Sequence, residues 1–151
     1  AAIEQFDLLH QLFGSVIVPE AVRNEFLADR TRVSQRSPLL TRSWLEIREP
    51  VHQEEVFHPR LGAGETQALA LALELSADLL LIDEALGRVV ARKLGIQVTG
   101  LLGILRQAKL RALIPAVAPL VSRLRCDFGF HLDERLVSDV LKSVGETYQS
   151  P

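Results

Sequence analysis

The fold is decided between residues 79 and 100, which read LLLIDEALGRVVARKLGIQVTG. Residues 79–82 are apolar without interruption, which is typical of a short strand that is covered on both faces. A helical pattern then runs from Ala85 to Gly95, and residues 96–98 form a second short strand pattern. A strand, a helix and a strand at this spacing predict a βαβ unit, in which the two strands are parallel.

The same alternation of strand and helix patterns extends to both sides. Residues 15–18 are a mostly β-branched run closed by Pro19, and residues 44–49 alternate between apolar and polar side chains, so both predict strands. Helical patterns occupy residues 3–13, the segment after Pro19, residues 68–73, and residues 101–110, 117–124 and 132–144. Residues 68–73 are apolar on nearly every side, which predicts a helix buried between a sheet and another helix. We therefore predict an α/β fold, with a parallel sheet and helices on both faces in three α/β/α layers.

Length and composition set limits on the class of protein. The 151 residues predict a single domain over residues 1–151, and 48% hydrophobic residues exclude a disordered chain. The net charge of -2 supplies no overall cationic field, so any contact with nucleic acid must be local. The single cysteine, Cys126, cannot form an internal disulfide, and no apolar run approaches the roughly 18 to 20 residues of a membrane helix. These features predict a cytoplasmic protein that does not contact a membrane.

Acidic residues follow the predicted strands. Asp83 comes directly after the strand at residues 79–82 and Glu84 follows it, at the carboxyl edge where open α/β sheets bind ligands. Glu25 lies six residues after Pro19 and can lean back toward the same edge, and Glu65 opens the buried helix. Carboxylates that converge repel one another unless a divalent cation lies among them, and oxygen ligands suit Mg²⁺ or Mn²⁺. A metal held in this way can activate water against a phosphodiester, as in metal-dependent nucleases.

Each of these acids also has a purely structural interpretation. Asp83 can be the N-cap of a helix that begins at Glu84, and Glu65 and Glu84 are favourable in the first turn of a helix. Glu25 can be an ordinary surface glutamate. Spacing alone leaves both interpretations open.

Basic residues near these acids are mostly arginine, which suits bidentate contact with phosphate. Arg88 and Arg92 lie on the helix after Asp83, where they can contact an RNA backbone. A second cluster follows Glu25 and consists of Arg30, Arg32, Arg36 and Arg42. A solvated polar face is the alternative interpretation of both groups.

Several segments recur in the order of a known family. They are residues 13–19 with Val22 and Glu25, residues 62–70, residues 79–84 with Arg88 and Ala91, residues 94–100, and residues 102–105. Taken together over about residues 3–113, they resemble the PIN-domain superfamily, and specifically its PIN-like subgroup of predicted nucleic-acid-binding proteins.

The resemblance implies a Mg²⁺- or Mn²⁺-dependent ribonuclease, in many relatives the toxin of a toxin–antitoxin pair. By the same resemblance, Glu25, Glu65 and Asp83 are the catalytic and metal-binding acids, and Glu84 is a further candidate for the metal. RNA is the implied substrate, a small antitoxin protein the implied partner, and a homodimer the implied assembly.

The chain departs from the family pattern at its start. Relatives begin with a strand that ends in an aspartate and a small hydroxyl residue, and no such segment stands before Ala1. We expect either that this first strand lies upstream of residue 1 or that the chain is a catalytically inactive PIN-like module that binds nucleic acid or protein. A third reading, a receiver-like phosphoacceptor at Asp83, requires an early acidic pair and a late lysine after a strand, and the sequence shows neither.

Overall fold

The computed structural model describes residues 2–28, 37–56 and 58–147. It divides into two compact units, Ala1–Thr99 and Gly100–Pro151, which are described separately below. The single-domain organisation stays a prediction. Arg30, Arg32 and Arg36 of the predicted arginine cluster lie outside the described residues.

The first unit begins with two helices and the first parallel strand pair. Helix α1 (Ala2–Phe13) ends at Gly14, which adopts the left-handed conformation with φ of 75°. Strand β1 (Val16–Pro19) leads directly into α2 (Glu20–Ala28), so Pro19 is the last residue of the strand. After a 3₁₀ turn (Ser37–Thr41), strand β2 (Leu45–Arg48) pairs in parallel with β1, and Val16 lies opposite Leu45.

The second strand pair of this unit is the predicted βαβ element. A 3₁₀ turn (Glu54–Val56) and helix α3 (Ala63–Glu74) precede strand β3 (Leu80–Leu81), helix α4 (Ala85–Lys93) and strand β4 (Val98–Thr99). Strands β3 and β4 are parallel, with Leu80 opposite Val98. The βαβ prediction is confirmed, although both strands are shorter than the apolar runs suggested.

The α/β fold class is confirmed, but the predicted continuous sheet is divided. In the described residues β1 pairs with β2 and β3 pairs with β4, which gives two separate two-stranded sheets. The physical reason is that no described strand lies between β1 and β3 to hydrogen-bond with both. Ile17 on β1 and Leu81 on β3 are accordingly 39% and 40% exposed, which is high for large apolar side chains on strands.

Helix α3 is the centre of the first unit. It contacts α2, α4, β1 and β3, which agrees with the prediction of a helix buried between strands and other helices. The middle of this helix has no polar, solvent-exposed face, and Leu69, Ala70 and Ala72 are buried. The other members of this core cluster are Val56, Leu80, Ile82, Ala91 and Ile96.

The described part of the second unit, residues 100–147, contains three helices, α5 (Leu101–Leu110), α6 (Ala118–Phe128) and α7 (Glu134–Ser143). Helix α5 packs against α7, and the core cluster comprises Leu102, Leu105, Val117, Val121, Val137, Val140 and Leu141. Asp133 caps α7 by accepting a hydrogen bond from the N–H of Leu136 at 2.9 Å. The three helices predicted from periodicity are present. None of the helices among the described residues has the length and apolar character needed to cross a membrane.

Candidate functional site

Glu25 of α2 places its carboxylate against the first turn of α3. Its Oε1 and Oε2 lie 3.2 and 3.3 Å from the point where a Cβ atom of residue 64 would stand. Residue 64 is glycine, so the carboxylate can approach the helix backbone this closely. The Cγ2 atom of Val22, one turn earlier on α2, lies 3.1 Å from the same point. The lack of a side chain at Gly64 thus creates the space in which Glu25 lies.

Helix α2 is fixed on α3 by a hydrogen bond as well as by packing. The backbone N–H of Ala21, in the first turn of α2, donates to the carboxamide oxygen of Gln67 at 2.8 Å. The first N–H groups of a helix have no partner within the helix, so this side chain satisfies one of them. Gln67 therefore helps to hold α2, and with it Glu25, in place.

Glu65 lies in the first turn of α3, beside Gly64. Its Oε2 atom lies too close to the point where a Cβ atom of residue 62 would stand for both to be accommodated, so Gly62 leaves room for this second carboxylate. Gly62 is the N-cap of α3 and contributes no side-chain hydrogen bond. The free N–H groups and the dipole of a helix N-terminus favour a negative charge at this position. Among the described residues, neither Glu25 nor Glu65 accepts a hydrogen bond or pairs with a cation through its carboxylate.

Asp83 and Glu84 lie between β3 and α4, and both are exposed. Glu84 is the N-cap of α4, and its carboxylate accepts a hydrogen bond from the N–H of Gly87 at 2.5 Å. The interpretation of Asp83 as the N-cap is therefore wrong: the helix begins one residue later than expected, at Ala85, and the capping residue shifts with it. Gly87 is favoured here because a Cβ would meet the Cδ1 atom of the buried Ile82, which would have to shift.

The structure brings the predicted acids together only in part. The Glu25 carboxylate lies against the first turn of α3, where Glu65 also lies, whereas Asp83 and Glu84 lie at the start of α4. Within residues 2–28, 37–56 and 58–147, no three acidic, histidine or cysteine side chains are grouped closely enough to hold a metal ion. The assignment of these four acids as catalytic or metal-binding residues stays a prediction.

Arg88 and Arg92 lie one turn apart on α4, on the same face of the helix. Arg92 is exposed and Arg88 is half-buried, and within the described chain neither guanidinium pairs with a carboxylate. Arg42, the described member of the other arginine cluster, pairs with Asp7 at 3.7 Å. The pair on α4 is therefore the better candidate for phosphate contact.

Gln67, Gly62 and Gly64 were not identified as site residues from the sequence. Their signal was nevertheless present: two glycines punctuate the start of a helix that is otherwise rich in alanine and leucine. A glycine within the first turn costs helix stability, so its presence indicates that another group approaches the backbone closely.

A comparison with family models gives a match over residues 1–146, to a model described as a PIN domain. The chain belongs to the PIN-domain family. The match to PIN domains covers both compact units, and it confirms the resemblance drawn from the sequence. Searches of curated proteins and of solved structures give no match.

Proposed function

We propose that this PIN domain is a metal-dependent ribonuclease. The observation that supports the proposal best is the placement of the Glu25 carboxylate over Gly64, at the turn that carries Glu65. Two carboxylates on different helices are directed to one turn, and neither is neutralised by a cation within the described chain. Carboxylates that face the same turn of a helix favour the binding of a cation.

The donor chemistry fits Mg²⁺ or Mn²⁺, because both ions prefer carboxylate oxygens. Glu25 and Glu65 would hold the ion, and Asp83 is the third candidate. Glu84 is the weakest of the four, since its carboxylate already accepts the N–H of Gly87. A bound divalent ion supplies an activated water molecule and stabilises negative charge on a phosphodiester.

The substrate class in this proposal is RNA. Arg88 and Arg92 follow Asp83 on α4 and offer two guanidinium groups, spaced one helical turn apart, to successive phosphates. The contact is local, as the net charge of -2 requires.

Strands β1 and β3 each have one edge that pairs with no other strand among the described residues. These edges support a second proposal, that an additional strand lies between β1 and β3. Helix α3 contacts both strands, so the two edges share one covering helix. An extended segment that pairs in parallel with both would satisfy their backbone groups and cover Ile17 and Leu81. We propose that this strand precedes α1, because a strand, a helix and a parallel strand then form a standard right-handed crossover.

The proposal extends to the biological role that the family resemblance implies. The chain would act as the toxin of a toxin–antitoxin pair, restrained by a small antitoxin protein, and would form a homodimer. Expression of the chain alone and together with the neighbouring gene tests the role as a toxin. Growth inhibition by the chain alone that the neighbouring gene relieves supports this role. Normal growth when the chain is expressed alone contradicts it.

The test of catalysis is cleavage of a single-stranded RNA oligonucleotide with Mn²⁺, by the chain together with any codons that precede residue 1 in its gene. Asp83→Asn and Glu25→Gln are expected to reduce cleavage by at least the roughly 10- to 100-fold that is lost when a group that only orients a metal ligand is replaced. Glu20→Gln is the matched control, because Glu20 lies on α2 but pairs with Arg23 at 3.4 Å. A folded, partner-free protein that cleaves no RNA with any divalent ion would favour the alternative, a catalytically inactive interaction module.

A further inference from the structure

Gly64 stands out among the glycines of this chain because its missing side chain faces the carboxylate of a different helix. Both oxygens of Glu25 lie within 3.3 Å of the position that a Cβ would take, and Gly64 is buried whereas Glu25 is exposed. Contacts this short are closer than ordinary van der Waals distance, so a methyl group would force a shift of a few tenths of an ångström.

We infer that Gly64 is a positioning residue, which allows the Glu25 carboxylate to lie against the first turn of α3 in the orientation that binds a divalent cation. This inference rests on the proposed function. Gly64 itself offers no ligand atom beyond its backbone, so its effect is transmitted through Glu25. Gly62 has the corresponding relation to Glu65, whose Oε2 atom would clash with a Cβ at residue 62.

The helical conformation of α3 does not by itself require glycine at residue 64. Alanine is a better helix former than glycine, and Gly64 does not have the positive φ that would require glycine. The groups that an added Cβ would meet are Val22 and Glu25 of α2, not the backbone of a neighbouring element. Gly64 therefore allows α2 to pack closely against α3, and the charged side chain of α2 at this contact is Glu25.

The experiment measures Mn²⁺ binding by the full chain, from the loss of the free-ion EPR signal, for wild type and Gly64→Ala. We expect about tenfold weaker binding in Gly64→Ala, the lower end of the effect of disturbing groups that orient metal ligands. Thermal unfolding checks that the variant is folded. If Gly64→Ala does not fold, Val22→Ala/Gly64→Ala removes the apolar contact and keeps the contact with Glu25.

A double-mutant cycle separates positioning from general damage. In a Glu25→Gln background, Gly64→Ala is expected to change Mn²⁺ affinity by less than about twofold, because the two substitutions act through one group. Glu25→Asp, which withdraws the carboxylate by one methylene, is expected to recover affinity in the Gly64→Ala background. Independent, multiplicative effects of Gly64→Ala and Glu25→Gln would overturn the inference.

A metal-free measurement tests the position of Glu25 directly. The side-chain carboxyl ¹³C resonance of Glu25, assigned with Glu25→Gln, should move in Gly64→Ala and stay in place in the matched control Gly87→Ala, whose added methyl group meets Ile82 and Glu84 instead. An unchanged Glu25 resonance in a folded Gly64→Ala variant overturns the inference whatever the metal does. Wild-type protein that binds Mn²⁺ no better than Glu25→Gln refutes the proposed function itself, whereas tight binding that Gly64→Ala leaves intact refutes only the role of Gly64.

Discussion

Replacement of Glu146 by alanine is expected to destabilise the second unit more than any exposed charge substitution there. The Glu146 carboxylate accepts hydrogen bonds from the N–H of Val117 at 2.8 Å and from the N–H of Ala118 at 2.8 Å. Both donors belong to the start of α6, where helix N–H groups have no partner within the helix. The side chain is 15% exposed, and Lys109 lies 3.8 Å from its Oε1 atom.

The magnitude follows from the groups that lose their acceptor. A hydrogen bond to a charged group contributes about 1.5–3 kcal/mol, and a carboxylate at a helix N-terminus adds about 0.3–1 kcal/mol. Water can reach part of this site in the variant and recovers some of the loss. We therefore expect Glu146→Ala to lower the free energy of unfolding by about 2–3 kcal/mol, and Glu146→Gln, which keeps one acceptor oxygen, by about 1 kcal/mol.

The assay is urea unfolding followed by far-ultraviolet circular dichroism, with unchanged slopes required for the comparison. Glu134→Ala is the matched control: its carboxylate pairs with Arg125 at 2.9 Å, but it is 62% exposed. An exposed pair of this kind is worth about 0–1 kcal/mol. If Glu146→Ala costs no more than Glu134→Ala, the carboxylate does not stabilise the start of α6 and the reasoning is refuted.

Three further substitutions test the first unit. Gly87→Ala should lower the free energy of unfolding by about 1–3 kcal/mol, because the methyl group overpacks against Ile82, and an unchanged urea midpoint would contradict this. Glu84→Ala should lower the free energy of unfolding by about 1 kcal/mol, because the N–H of Gly87 loses its capping acceptor. The Mn²⁺ affinity of this variant, measured by EPR, should stay within about twofold of wild type. A larger loss of Mn²⁺ affinity would make Glu84 a ligand. Gln67→Ala should cost about 1 kcal/mol and speed hydrogen exchange at the amide of Ala21, which a protected amide would contradict.

The element order could be predicted because it depends on one-dimensional patterns. The apolar run at residues 79–82 and the left-handed glycine at residue 95 delimit the βαβ unit, and both are properties of short segments. The burial of α3 followed for the same reason, since a helix that is apolar on every side must be covered on every side. Strand boundaries shifted by one or two residues because strand length depends on the pairing partner, which the pattern does not contain.

The division of the sheet could not be predicted, because pairing between strands distant in the chain is a property of the whole fold. The apolar runs of β1 and β3 have the same character whether a neighbouring strand is present or not. The prediction of a parallel sheet took the strands to belong to one sheet, and in the described residues β1 pairs only with β2 and β3 only with β4.

The direction of each carboxylate was also beyond the sequence, and here the small residues carry the missing information. Spacing placed Glu25, Glu65 and Glu84 near strand ends or helix starts, but it could not distinguish a carboxylate that caps a helix from one that faces a neighbouring element. The structure distinguishes the two cases by the group that each carboxylate contacts. The Glu84 carboxylate accepts the N–H of Gly87 in its own helix, whereas the Glu25 carboxylate lies over Gly64 of a neighbouring helix. A carboxylate whose hydrogen-bonding capacity is used by its own helix has less to offer a cation, so the glycine under Glu25 is a better guide to a ligand-binding acid than the distance of that acid from a strand.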